Sequence, residues 1–183
     1  MKLPYRVPDN ELTLNVAILL IIIFALGRST RGKLLLNNER LRLFLYLLKN
    51  PIKLNELLIC NEKSHATLQS HEEYSVASIS NNADILYDDS VTKELLQYAA
   101  ASHLLEVEYR KTDGFMYCLS PAGINVVNQL VGDYYDHLHL YANALAQLNA
   151  IPTSTLNEQA DRIRRGQPQL NSVPALSLNG HFD

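Results

Sequence analysis

The stretch at residues 95–123, LLQYAAASHLLEVEYRKTDGFMYCLSPAG, constrains the fold more than any other part of the chain. A helix-like run ends at Ala101-Ser102-His103 and passes directly into Leu104-Leu105-Glu106-Val107-Glu108-Tyr109-Arg110. Thr112-Asp113-Gly114 supplies a turn, and Phe115-Met116-Tyr117-Cys118-Leu119 follows. Val107 and Tyr109, then Phe115, Tyr117 and Leu119, alternate with period two, and Asp-Gly between two such runs signals a hairpin. Ser120-Pro121 opens another helix, because serine caps and proline fits the first helical position. Helix, hairpin and Ser-Pro helix in that order form the second half of a winged helix-turn-helix, a fold that either reads DNA or serves as a docking block.

A second constraint is the unbroken apolar run at residues 16–26, VAILLIIIFAL. Its 11 residues fall short of the roughly 18–20 that span a bilayer. The run therefore predicts a helix buried on all sides, within this chain or against a partner. Pro8-Asp9-Asn10-Glu11 precedes it and no small-residue cleavage site follows, so no signal peptide and no membrane attachment is expected. Cys60 and Cys118 lack any CxxC pairing and read as free thiols in a reducing compartment, which makes the cytoplasm the expected location. The 47% apolar share of the 183 residues supports a real core.

Local signals mark out the remaining elements. Asp9 or Asn10 can cap the first helix and Gly27 can end it. Asn37-Asn38 can cap a leucine-rich helix at residues 39–49, closed by Asn50-Pro51. A short helix is predicted at residues 54–61, another near residues 72–79, and one at residues 91–102 capped by Asp89 or Ser90. A long helix is predicted from Pro121 to about Ala150, where Ile151-Pro152 breaks it. Thr153 or Ser154 can cap a last helix at residues 156–165, with Glu158 completing a capping box. The tail, QPQLNSVPALSLNGHFD, has two prolines and no helical period, and reads as disordered or as ordering on a partner. The predicted organisation is an N-terminal arm, buried helix and basic connector at 1–33, a winged-helix-like core at 34–131, a long interaction helix and short terminal helix at 121–165, and a disordered tail at 166–183. The fold class is mainly α with a small β-hairpin.

Two patterns suggest contact surfaces. Within the long predicted helix, Ile124, Val127, Val131, Tyr134, Leu138, Tyr141, Leu145 and Leu148 recur at alternating spacings of three and four. That is the seam of a helix packing lengthwise on another, in its own domain or on a second chain. The charge is also uneven. Arg28, Arg31, Lys33, Arg40, Arg42, Lys49 and Lys53 face a single acid, Glu39, so residues 28–53 carry +6 in a chain whose net charge is −3. Of these, Arg28, Arg31, Lys33, Arg40 and Arg42 are candidate contacts to phosphates, to an acidic protein surface, or simply to solvent. Arg110 and Lys111 are candidate contacts at the wing tip.

Base reading is poorly served. The helix before the hairpin offers Lys93, Gln97 and Thr92, but no arginine or asparagine for bidentate base contacts. Catalysis finds no support either. No GxSxG, HExxH, P-loop or GxGxxG is present. His137 and His139 are two apart on a helix and cannot share one ion. No catalytic residue, metal site or cofactor is expected.

Residues 10–51, NELTLNVAILLIIIFALGRSTRGKLLLNNERLRLFLYLLKNP, resemble the middle component of three-component ABC-type systems, nearest the small subunit of Lamassu-type systems that defend bacteria against phages and plasmids. The resemblance rests on the apolar first helix, the basic Arg/Lys-Gly connector and the leucine-rich helix ended by Asn-Pro. It implies a non-enzymatic accessory subunit that docks on the heads of an SMC-like or Rad50-like ATPase and helps hold an effector nuclease, with DNA reached through the complex. The rival expectation, from the fold alone, is a stand-alone winged-helix transcriptional regulator.

Overall fold

Helix α1 (Leu12–Leu26) runs through the middle of the molecule. Ten of its 15 residues are buried, as expected of a helix with no polar face. Contacts come from four other helices and from the sheet, so the chain itself covers most of the apolar run; Phe24, 47% exposed, departs from the expected burial on all sides. The one buried polar side chain within α1, Asn15, accepts a hydrogen bond from Lys49 Nζ at the far end of α2. The computed structural model describes residues 12–68 and 89–166. The expected cap at Asp9 or Asn10, the helix near residues 72–79 and the tail lie outside them. No helix among the described residues is long and apolar enough to cross a membrane.

After Gly27 the basic connector folds back on itself. Arg28 and Leu34 form an antiparallel bridge, and Ser29 Oγ accepts the Lys33 N–H at 3.0 Å. The chain then makes a two-residue strand, β1 (Leu36–Asn37), and enters α2 (Asn38–Lys49). Asn37 is the cap: its side chain accepts the Arg40 N–H at 3.0 Å. Asn50 ends α2 and Pro51 immediately starts α3 (Pro51–Cys60), three residues before the predicted Leu54. Proline lacks only a donor that the first helical turn leaves unused, so a break and a start share one dipeptide.

Helix α4 (Asp89–Ala101) leads through His103, at φ 56°, into the hairpin of β2 (Leu105–Arg110) and β3 (Gly114–Leu119). The strands pair from Leu105 with Leu119 out to Arg110 with Gly114. β1 pairs with the other side of β3, so the sheet is antiparallel and three-stranded, in the order β1-β3-β2, and not a bare hairpin. Leu105, Tyr117 and Leu119 bring one face onto the main core. Leu34, Met116 and Cys118 form a small second cluster on the opposite face, beneath the basic loop.

Ser120 caps α5 (Pro121–Gln129), accepting the Gly123 N–H at 3.0 Å and donating to the His103 carbonyl at 2.6 Å. A Cβ on Gly123 would lie 2.2 Å from the Leu104 carbonyl oxygen, so glycine is required for α5 to approach the α4–β2 turn. The predicted long helix is corrected here. It breaks at Leu130-Val131-Gly132, and α6 (Asp133–Ala146) is a separate helix. Gly132 sits at φ 115°, a conformation that L side chains rarely adopt, and Asp133 and Asp136 suit the first turn of a new helix. Helix α7 (Thr153–Arg164) also differs from expectation. Pro152 takes the cap position, so Thr153 and Ser154 lie inside the helix and the capping box with Glu158 does not form.

Candidate interaction surface

The basic residues of 28–53 do not form one patch. Arg40, a predicted contact, is withdrawn from any outside partner. Its Nη2 donates to the carbonyls of Leu148, Asn149 and Ile151 at 2.9, 3.1 and 3.0 Å, holding the connection that leads from α6 to the next helix. Its guanidinium also stacks 5.4 Å from the Phe44 ring centroid. Burial lowers its pKa, yet an arginine remains protonated in proteins.

Arg28 lies against the outer face of the sheet. Its Nη2 is 3.1 Å from Cys118 Sγ and 3.7 Å from a Glu106 carboxylate oxygen. Burial pushes the Cys118 thiol pKa up, opposed by Arg28. Further along the same face, Arg110 Nε donates to Glu108 at 2.7 Å, which holds the Glu108 carboxyl below its usual range. Two of the predicted cations are therefore paired with β2 carboxylates. Arg31, Lys33 and Lys111 remain exposed, the first two at the turn of the basic loop and the third at the hairpin tip.

Arg42 faces elsewhere. With Asn38 and Glu39 from the start of α2, and Thr92, Lys93 and Leu96 from α4, it lines a cleft of about 240 Å³. Tyr117 OH donates to Asn38 Oδ1 and Glu39 accepts from Asn157, so two lining residues are fixed from outside the cleft. Sequence spacing could not bring Arg42 to Lys93, since packing of α2 on α4 does that.

The predicted seam splits with its helix. Leu138, Tyr141, Leu145 and Leu148 are buried in the main core against α1 and α2, and Val127 is buried from α5. Ile124, Val131 and Tyr134 are exposed around the break, Val131 at 77%. Val107, Tyr109 and Phe115 form a second exposed apolar strip; period-two alternation puts them on one hairpin face but carries no sign of their exposure. Their signal was length: the hairpin reaches beyond the core that buries Leu105 and Leu119. Among the described residues no three His, Cys, Asp or Glu side chains gather as a metal site would require.

Fold and surface together define a mainly helical protein with a small antiparallel sheet, whose hairpin presents charged and aromatic side chains. Residues 26–158 match the family of the ABC-three component (ABC-3C) system Middle Component 4, and the chain belongs to that family. No curated protein and no solved structure matches it.

Proposed function

We propose that this middle component is a non-enzymatic accessory subunit that docks on the heads of its system's SMC-like ABC ATPase and helps hold an effector nuclease. The observation that carries the reading is the family match, which runs from the end of α1 to the middle of α7 and takes in the basic loop, the cleft, the hairpin and the α5–α6 break. The likeness of residues 10–51 to Lamassu-type small subunits supports a role in defence against phages and plasmids, in the cytoplasm.

The topology supports a winged-helix reading. A helix, a short strand, further helices and a hairpin follow one another, with strand order β1-β3-β2. On this reading α2 and α4 are the helical pair, β2–β3 is the wing and α3 is an addition. The surface of α4 supports docking over base reading, because its 13 residues, DSVTKELLQYAAA, include no arginine or asparagine. DNA then reaches the protein through the complex, with Arg31, Lys33 and Lys111 as backbone-contacting cations.

Co-expression tests the proposal. The full chain with the ATPase and effector subunits of its own system is expected to co-purify as one complex. A chain that ignores both subunits, yet shifts one specific duplex at a Kd of about 10⁻⁸ M, would instead be a stand-alone regulator.

A further inference from the structure

The hairpin leaves two features open at the same place. β2 has β3 on one side, and among the described residues no strand pairs with its other edge. On the core-facing side of the hairpin, Val107, Tyr109 and Phe115 run past the end of the core and are 47%, 67% and 51% exposed. The Tyr109 and Phe115 rings meet edge to face, 5.3 Å between centroids. A six-residue edge strand flanked by exposed apolar side chains invites another strand. On the opposite side Glu106, Glu108 and Arg110 alternate with them.

We propose that β2 pairs antiparallel with β2 of a second copy of this chain, about a two-fold axis that passes through Glu108. Charge complementarity selects both the occupant and the register. Residues directly opposite in an antiparallel pair share a face, so the axis of a symmetric pair must fall on a residue. An axis at Val107 sets Glu106 against the partner's Glu108 twice, which opposes like charges. An axis at Tyr109 overlaps only residues 108–110 of the strand. With the axis at Glu108, residues 106–110 overlap. Glu106 then faces the partner's Arg110 twice, and Val107 faces the partner's Tyr109 twice.

The two Glu108 carboxylates meet at the axis, and each already has Arg110 Nε at 2.7 Å. Arg28 stands 3.7 Å from Glu106 on the same face. Each copy thus brings two cations and two carboxylates to the joined outer face, which is neutral as a whole. On the inner face the Val107, Tyr109 and Phe115 strips of both copies become continuous and leave water, the larger part of the driving force. The pairing also removes the open edge.

Sedimentation equilibrium of the full chain, from about 1 to about 100 μM, is expected to give a reversible monomer–dimer equilibrium. Tyr109→Lys should abolish it with an unchanged circular dichroism spectrum. Arg110→Glu should weaken it about tenfold or more, and adding Glu106→Arg should restore it. Glu108→Gln should tighten it, since the like-charge contact at the axis disappears. Cysteine substitution reads the register: opposed Cα atoms about 4.5–5.5 Å apart lie within disulfide reach. In a Cys60→Ser background, Glu108→Cys should give a disulfide-linked dimer under mild oxidation and Val107→Cys should not. A wild-type chain that stays monomeric at the top concentration, or linkage through Val107→Cys in place of Glu108→Cys, overturns the proposal.

Discussion

The guanidinium of Arg40 lies against the turn that follows α6, its Nη2 2.9 Å from the carbonyl oxygen of Leu148, a residue 108 positions away in sequence. The same nitrogen reaches the carbonyls of Asn149 and Ile151. One side chain thereby joins the start of α2 to the turn after α6.

Arg40→Met should therefore destabilise the protein. It takes the Arg40 donor from the part-buried carbonyls of Asn149 and Ile151, while the Leu148 carbonyl keeps the Ile151 N–H; an unsatisfied group costs about 1–3 kcal/mol, so a loss of about 3 kcal/mol is expected. Urea denaturation of wild type and variant measures it. A loss below about 0.5 kcal/mol, together with weakened binding to the ATPase, would return Arg40 to the contact surface.

Exposed cations should behave in the opposite way. Arg31 and Lys33 are exposed at the turn of the basic loop, and charges of this kind contribute little to stability. Arg31→Glu with Lys33→Glu should leave the melting temperature within a degree or two and reduce recovery of the complex on co-purification. A collapsed thermal transition would make the pair structural.

The elements that were legible in the sequence share one property: their chemistry is local. Asn37 caps α2, Asn50-Pro51 separates two helices, Asp113-Gly114 turns the hairpin and Ser120-Pro121 starts α5. Each depends on side chains hydrogen-bonding within a few residues or on ring constraints. What failed was long-range or in competition with a stronger pattern. β1 has two residues and no period, and it exists because β3 offers an edge. Arg40 reads as basic surface because its acceptors are far away in the chain. The three-four spacing masks Gly132, because it continues through Val131 and Tyr134 although the helix does not. A glycine inside a helical pattern was the available warning.

Two glycines separate space from conformation. Gly123→Ala places a Cβ 2.2 Å from a backbone oxygen that cannot step aside, and should lose about 2–3 kcal/mol or more. Gly132→Ala meets nothing within 4 Å but holds φ at 115°, and should lose about 1–2 kcal/mol through strain alone. Thermal denaturation ranks them. A larger loss at Gly132 would mean that the α5–α6 break bears on the core more than α5 packing does.

The two cysteines should separate by reactivity. Cys118 is buried, whereas Cys60 is half-buried, and burial raises both pKa values above the ordinary 9.0. A raised thiol pKa means that the folded state holds its proton more tightly than the unfolded chain does. The associated stability is complete below about pH 9 and falls as pH climbs through the folded value. Disulfide-reagent labelling at pH 8 should modify Cys60 first and Cys118 far more slowly. Arg28→Ala should make Cys118 slower still, because Arg28 favours the thiolate. Faster labelling in that variant would show that the arginine shields the sulfur rather than polarising it.

The seam residues now sort by burial, which decides how an interface can be tested. Leu145 is fully buried in the core, so Leu145→Ala should lose about 2–5 kcal/mol whatever binds the protein. Val131 and Tyr134 project from the break between α5 and α6 and are more than half exposed. Val131→Asp with Tyr134→Asp should leave the fold intact, because neither side chain gives up core contacts. If the break touches the ATPase or the effector, the double variant drops out of the co-purified complex while keeping its circular dichroism spectrum and melting temperature. Retention in the complex with unchanged stoichiometry would leave docking to the hairpin and the cleft, where Tyr109→Lys and Lys93→Glu are the next substitutions to separate.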